Sequence, residues 1–214
     1  MTGQESALLM TYGSPASLDR GDVAAYLARV RGGREPTNDL VDEFTRRYRV
    51  IGGSPLIEIT RRQAAALEEQ LGWPVEAGMR YSEPTIAAAL ERLAQRGAER
   101  VAAIVLSPQY STMLMDGYRR AVDEACRSLG SQAPQVDIAG AWHTEPTFVD
   151  ALAGRIRDGL EAGGHRATSV LLTAHSLPRR VAEREPAYIE QLQETARAVA
   201  TASVSAYLSV TIRH

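Results

Sequence analysis

Cysteine is almost missing from this sequence. Cys126 stands alone, so the chain forms no internal disulfide and offers no cluster of cysteine ligands for a metal or an iron–sulfur centre. It falls in the helical pattern of Tyr118–Leu129, where a packed thiol is the plain reading. No run of about 18 apolar residues occurs, which excludes a membrane-spanning helix read from sequence. An excess of charge of one sign is missing too. The formal net charge is -2, which supplies no electrostatic reason to expect a nucleic acid or an anionic membrane as partner. Met1–Ser6 lacks the basic and apolar stretches of a signal peptide, so a cytoplasmic location is expected.

Several motifs are also absent. There is no His-Glu-x-x-His, no paired cysteines, no Gly-x-Gly-x-x-Gly after the first apolar run and no Gly-x-Ser-x-Gly. Zinc-protease, dinucleotide and esterase chemistry therefore have no support. Gly52-Gly53-Ser54-Pro55 looks like a phosphate loop only superficially, since no apolar strand feeds it and no Gly-Lys-Ser/Thr ends it.

What is present is an alternation of short apolar runs and amphipathic runs over 214 residues with 44% hydrophobic and 23% charged content, the balance of a soluble globular chain. Strands are expected at Ala7–Tyr12, Pro74–Met79, Arg100–Leu106, Val136–Ala141, Ser169–Ala174 and Ala206–Ile212. Helices are expected at Asp19–Val30, Asn38–Arg49, Ile59–Leu71, Thr85–Arg96, Asp116–Leu129, Thr147–Ala162 and Pro186–Ala200. Continuous apolar strands alternating with helices predict an α/β fold, a parallel sheet flanked by helices on both faces. In such sheets ligands bind beyond the carboxyl ends of the strands. That rule singles out Tyr12–Pro15, Arg80–Pro84, Ser107–Thr112 and His175–Pro178.

His175 follows its apolar run directly. An imidazole at a sheet edge can bind a metal or take a proton near neutral pH, although a backbone-bonded loop histidine fits the position as well. His143, in Trp142-His143-Thr144-Glu145-Pro146, reads as a surface turn residue. His165 and His214 carry no expected role. Tyr12 closes the first strand and presents a phenol at the same kind of edge. Met113, Leu114 and Met115, between Ser107 and Tyr118, pack or meet a flat apolar ligand. Arg29, Arg31 and Arg34 crowd one loop and Arg46, Arg47 and Arg49 another. They suit a ligand with several carboxylates, or form a solvated face balanced by Glu35, Asp42 and Glu43.

Leu8–Pro15, Arg47–Leu56, Gly78–Pro84, Leu106–Ser111 and Thr173–Pro178 are five segments that, in this order, resemble the ferrochelatase family, the last being similar to that family's metal-site histidine motif. Tyr12, Arg31-Gly32-Gly33-Arg34 and Ala174-His175-Ser176 resemble the coproporphyrin type. The resemblance implies a chelatase-like fold of two similar domains, 1–140 and 141–214, with a porphyrin in the cleft between them and the second domain incomplete. It implies an enzyme, a lyase of haem biosynthesis that inserts ferrous iron into coproporphyrin III. His175 would deliver the iron, and Tyr12 would reach the iron of the product. Arg31, Arg47, Tyr48, Ser54 and Tyr118 would contact the porphyrin or its propionates. It implies no tightly bound cofactor, ferrous iron as substrate, and a monomer in full-length relatives. A cobalt or nickel tetrapyrrole chelatase and an inactive tetrapyrrole-binding fragment are the alternatives. The resemblance runs from about Ala7 to about Val199. Beyond it the family places a glutamate facing the histidine, and from its absence here the chain is expected to be truncated or frameshifted and a poor catalyst by itself.

Overall fold

The computed structural model describes residues 4–164, 170–174 and 183–203. Its contacts divide the chain into two units. The first comprises Met1–Leu106 and Asp116–Ala139, the second Ser107–Met115 and Gly140–His214.

The first unit is a four-stranded parallel sheet, built from β1 (Glu5–Thr11), β2 (Val75–Met79), β3 (Arg100–Val105) and β4 (Gln135–Ile138) in the order β2-β1-β3-β4. Between the strands run α1 (Arg20–Val30), α2 (Asn38–Val50), α3 (Leu56–Leu71), α4 (Ile86–Gln95) and α5 (Thr112–Leu129), the last followed by a single 3-10 turn at Gly130–Gln132. β1 reads Glu-Ser-Ala-Leu-Leu-Met-Thr because it is hydrogen-bonded on both edges and covered on both faces, the setting in which a strand is apolar without alternation.

Successive side chains point to opposite faces. On one face Ala7, Leu9, Val75, Ala77 and Met79 form a buried cluster with Ala64 of α3, joined by Ile57, Leu67 and Ile104. On the other lie Leu8 and Met10, both fully buried, and Gly78, whose missing side chain lets α4 approach. A Cβ at Gly78 would stand 2.9 Å from the Ile86 Cα. Burying a side chain the size of Leu8 or Met10 contributes roughly 1.5–3 kcal/mol, so the two faces of β1 anchor the unit.

The edge strand β2 is closed rather than left open for pairing. The Val75 N–H donates to the Glu68 carboxylate at 2.8 Å and the Met79 N–H to the Pro84 carbonyl at 2.8 Å. Glu68 also receives Arg96, and Glu76 receives Arg92.

α1 and α2 pack as a hairpin around Val23, Tyr26, Leu27 and Val41. Arg20 of α1 ties to Asp42 and Asn38 of α2, and Thr37 caps α2 by accepting from the Leu40 N–H at 3.3 Å.

In the second unit, α6 (Pro146–Ala162) and α7 (Pro186–Ser203) pack together, and Arg157 donates to the Ala202 carbonyl at 2.9 Å. The loop ahead of α5 belongs here. Its Gln109 side chain donates to the Thr195 hydroxyl at 3.1 Å, and the Tyr110 N–H to Gln191 at 2.6 Å.

Several expectations change. The strand expected at Ser169–Ala174 is not one over Val170–Ala174, where Leu171 is 66% exposed. An apolar run becomes a strand only when a neighbour satisfies its backbone, and among the described residues no ladder pairs this one. The strand expected at Ala206–Ile212 lies outside the described residues. α5 begins at Thr112 rather than Asp116, because the Ser111 hydroxyl accepts from the Leu114 N–H at 3.3 Å in the manner of an N-cap. Met113, Leu114 and Met115 therefore form a helical first turn instead of a strand-end loop.

Gly78 supplies a test of this packing. Gly78→Ala is expected to cost about 1–3 kcal/mol in chemical denaturation, since backbone rather than a yielding side chain blocks the new methyl. Gly21→Ala in α1, with nothing within 4 Å, is expected to be neutral or mildly stabilising. Equal effects at both sites would contradict the close approach of α4.

Candidate functional site

β1 connects towards β2 on one side of the sheet, and β3 connects towards β4 on the other. Their adjacent carboxyl ends form the topological switch point where open α/β sheets bind ligands. Tyr12 stands there, one residue past β1 and 42% exposed.

The turn that presents it is held tightly. The Arg80 N–H donates to the Thr11 carbonyl at 2.9 Å and the Tyr81 N–H to the Tyr12 carbonyl at 3.1 Å. The Ser14 N–H donates to the Ser82 hydroxyl at 2.9 Å, and that hydroxyl donates back to the Ser14 carbonyl at 2.5 Å. Gly13 has φ of +96°, and a Cβ there would meet the Ser82 Oγ at 2.4 Å. Only glycine satisfies both conditions. Tyr26 of α1 donates its phenol to the Gly13 carbonyl at 3.2 Å, and Arg29 donates to the Tyr81 carbonyl at 2.8 Å.

Around this turn gather aromatic rings and, beside Arg29, a second cation, Arg80. The Tyr12 and Tyr81 rings meet edge to face at 4.6 Å. The Arg80 guanidinium carbon lies 4.7 Å from the Tyr81 centroid and 5.4 Å from that of Tyr118 on α5. Both distances are within the range of cation–π attraction. Burial, then the neighbouring Tyr81 phenol, push the Tyr12 phenol above its ordinary value, with Arg80 opposing them. Burial likewise raises Tyr26, Tyr118 and Tyr48. These phenols are therefore protonated donors at neutral pH.

The remaining candidates sit on the helical hairpin and the loop that follows it. Arg31 caps the end of α1 and is exposed, and its carbonyl accepts from the Arg34 side chain at 3.2 Å. Tyr48 stacks on Phe44 with centroids 4.3 Å apart. Arg47 donates to Glu43 at 2.7 Å, and Arg46 grips the same carboxylate with contacts of 2.8 and 2.9 Å. The basic cluster on α2 is thus partly neutralised within the chain. The Ser54 hydroxyl accepts from the Leu56 N–H at 3.3 Å at the start of α3. Beside it Val50 and Ile51 are 79% and 67% exposed, an apolar surface that the sequence pattern did not flag.

His175, the expected iron-delivering residue, lies outside the described residues. His143, read as a surface turn, is instead only 13% exposed in its side chain and meets Glu194 of α7 at 2.7 Å. Among the described residues no group of three or more His, Cys, Asp or Glu side chains is placed to hold a metal ion, and no helix is long and apolar enough to cross a membrane. Sequence reasoning passed over Arg80, Tyr81, Ser82 and Gly117 as individual site residues. Their place after an apolar run and the family-like segment Gly78–Pro84 marked the first three, and nothing marked Gly117.

The Arg46 and Arg47 hydrogen bonds hold the Glu43 carboxyl down to about 2. A lowered folded-state value means that the pair's contribution is present above the unfolded carboxyl value of about 4.3 and fades as pH falls towards about 2. Carboxyl-carbon NMR is expected to show Glu43 titrating near pH 2. Arg46→Ala, which removes the largest cause, is expected to move it up. An ordinary glutamate midpoint in the unaltered protein would contradict the contact.

Comparison with known proteins joins these observations to a family. The model of the ferrochelatase family matches residues 4–211. A ferrochelatase of Deinococcus radiodurans is 41% identical over 204 residues, covering 90% of this chain and 63% of the relative. Coproporphyrin III ferrochelatase 2 of Bacillus cereus is 33% identical, covering 92% and 63%. Coproporphyrin III ferrochelatase of Geobacillus kaustophilus is 33% identical, covering 95% and 66%. The chain thus spans somewhat under two thirds of the length of these relatives. Among solved structures, the sirohydrochlorin chelatase SirB of Bacillus subtilis subspecies spizizenii, in complex with cobalt, superposes with a TM-score of 0.52 at 13% identity. It covers 97% of this chain and 67% of that one, a likeness of fold alone. With the family model matching nearly the whole sequence, and a chelatase-like parallel sheet beneath it, the chain belongs to the ferrochelatase family.

Proposed function

We propose that this protein takes part in haem biosynthesis as a coproporphyrin-type ferrochelatase, binding coproporphyrin III and receiving ferrous iron as the second substrate. The observation that carries the reading is the gathering of Tyr12, Arg80, Tyr81 and Tyr118 at the switch point of a ferrochelatase-family sheet. A macrocycle needs flat apolar contact, its propionates need cations, and its metal needs a donor atom. Aromatic rings, arginines and a phenol are side chains of those three kinds.

Each residue has a task in this reading. Arg31 answers a propionate from the end of α1. Arg47 answers another by leaving Glu43. Exposed ion pairs contribute little, so the exchange of one carboxylate for another is easy. Tyr48 and Tyr118 supply ring surface and Ser54 a hydroxyl. Val50 and Ile51, exposed next to Ser54, fit the apolar body of the ligand.

Insertion requires that two pyrrole protons leave as iron enters. His175 holds the metal or takes a proton, the two tasks suited to a near-neutral imidazole. Tyr12 offers its phenolic oxygen to the iron of the product.

The test is anaerobic addition of ferrous iron to coproporphyrin III, followed by absorbance. The protein is expected to speed replacement of the free-base bands above the protein-free rate, and His175→Ala to return it to that rate. No acceleration by the unaltered protein would overturn the reading, and an undiminished rate in the variant would remove His175 from it. Arg31→Ala is expected to weaken coproporphyrin III binding by about 1.5–3 kcal/mol, the range for a hydrogen bond to a charged group. It should weaken binding of the tetramethyl ester much less. Equal losses for acid and ester would argue against propionate recognition.

A further inference from the structure

The seat of Arg80 is built. A Cβ at Gly117 would stand 1.8 Å from the Arg80 guanidinium carbon and 1.8 Å from one of its nitrogens. Any side chain at that turn of α5 would therefore expel the guanidinium from its present place. The notch places Arg80 between two rings, Tyr81 at 4.7 Å and Tyr118 at 5.4 Å, and Tyr118 follows Gly117 directly. Tyr81 in turn packs edge to face on Tyr12 at 4.6 Å. The backbone runs in parallel with this chain of contacts. Arg80 and Tyr81 donate their N–H groups to the carbonyls of Thr11 and Tyr12, and Arg29 anchors the Tyr81 carbonyl. The backbone of the Tyr12 turn is thus fixed by hydrogen bonds, while its ring rests on Tyr81, which touches Arg80 on one side and packs on the α1–α2 cluster.

We propose that Arg80, seated in the notch left by Gly117, is a positioning residue that orients the Tyr12 ring through Tyr81 and so sets how that phenol meets the metal of a bound metalloporphyrin. The inference rests on the reading of the site as a porphyrin site. Arg80 acts here through its planar face and its charge together. Lysine keeps the charge and loses the plane, and methionine keeps the apolar stem and loses both. Gly117→Ala leaves Arg80 in the sequence but moves it. The prediction is therefore that two chemically unrelated substitutions, one on β2's end and one on α5, disturb the same third residue.

The experiment uses the full chain and ferric coproporphyrin III as probe. A phenol ligated to ferric iron gives a phenolate-to-iron charge-transfer absorption. The unaltered protein is expected to show that band and Tyr12→Phe to lose it. Arg80→Met and Gly117→Ala are each expected to diminish and shift it, and the double variant to do no more than either alone, as coupled sites behave. Arg80→Lys is expected to restore part of it. Each spectrum is recorded at saturating ferric coproporphyrin III, with occupancy titrated separately, so that a changed band reports how Tyr12 meets the iron and not how much porphyrin is bound. A band unaltered in both Arg80→Met and Gly117→Ala would overturn the proposal.

Should the unaltered protein give no band, Tyr12 does not reach the iron, and ring-labelled tyrosine NMR of the ligand-free protein decides the contact network instead. Tyr12 ring signals displaced in Arg80→Met and Gly117→Ala, but less so in Arg80→Lys, uphold the positioning of Tyr12 by Arg80. Undisplaced signals overturn it.

Discussion

Strand β1 is paired on both edges and buried on both faces, and the rest of the first unit is arranged around that condition. A strand so placed has no solvent-facing side, so its residues are apolar and its direction fixes those of its neighbours. β2 and β3 take their registers from it. α3 and α4 take one face each. Because the chain leaves β1 towards one side and β3 towards the other, the end of β1 is also where the sheet opens. The same burial that stabilises the strand therefore delivers Tyr12, half exposed, to the carboxyl edge of the sheet.

What surrounds Tyr12 is a second consequence of close packing. Two glycines do the work of cavities. Gly13 lets the Ser82 hydroxyl bind both backbone groups of Ser14, and Gly117 lets a guanidinium lie against α5. The rings of Tyr81 and Tyr118 then share one cation, and Tyr12 packs on Tyr81. Burial outweighs that cation at the phenols of Tyr12 and Tyr118 and keeps them protonated. The result is an aromatic, hydrogen-bond-donating edge with a positive charge set behind it, a surface suited to a flat anionic ligand.

The sheet was legible in the sequence because apolar strands and amphipathic helices carry their periods openly. β1, β2 and β3 fall within two residues of their expected ends. The failures have physical causes. Val170-Leu171-Leu172-Thr173-Ala174 is as apolar as β1, yet composition cannot report whether a partner strand is at hand. α5 starts early because Ser111 caps it, a short-range effect that the hydrophobic pattern does not register. Tyr48 and Ser54 were reached by resemblance alone, whereas Tyr12 also stood out at the end of the first strand and Arg31 and Arg47 in their arginine clusters, and the structure adds that Arg47 is already engaged by Glu43. Gly117 was illegible because a glycine within a helix announces nothing until the side chain that fills its space is seen.

The central claim is that the ligand sits at the carboxyl edge of this sheet, and hydrogen–deuterium exchange with and without coproporphyrin III tests it most directly. The account predicts that saturating porphyrin protects the backbone amides of Tyr12–Ser14 and Arg80–Ser82, together with those around Gly53 and Ser54. It predicts no change at Gly97–Arg100 and Gln135, at the opposite edge of the same sheet. Protection at that opposite edge, or none at Tyr12–Ser14, would contradict it.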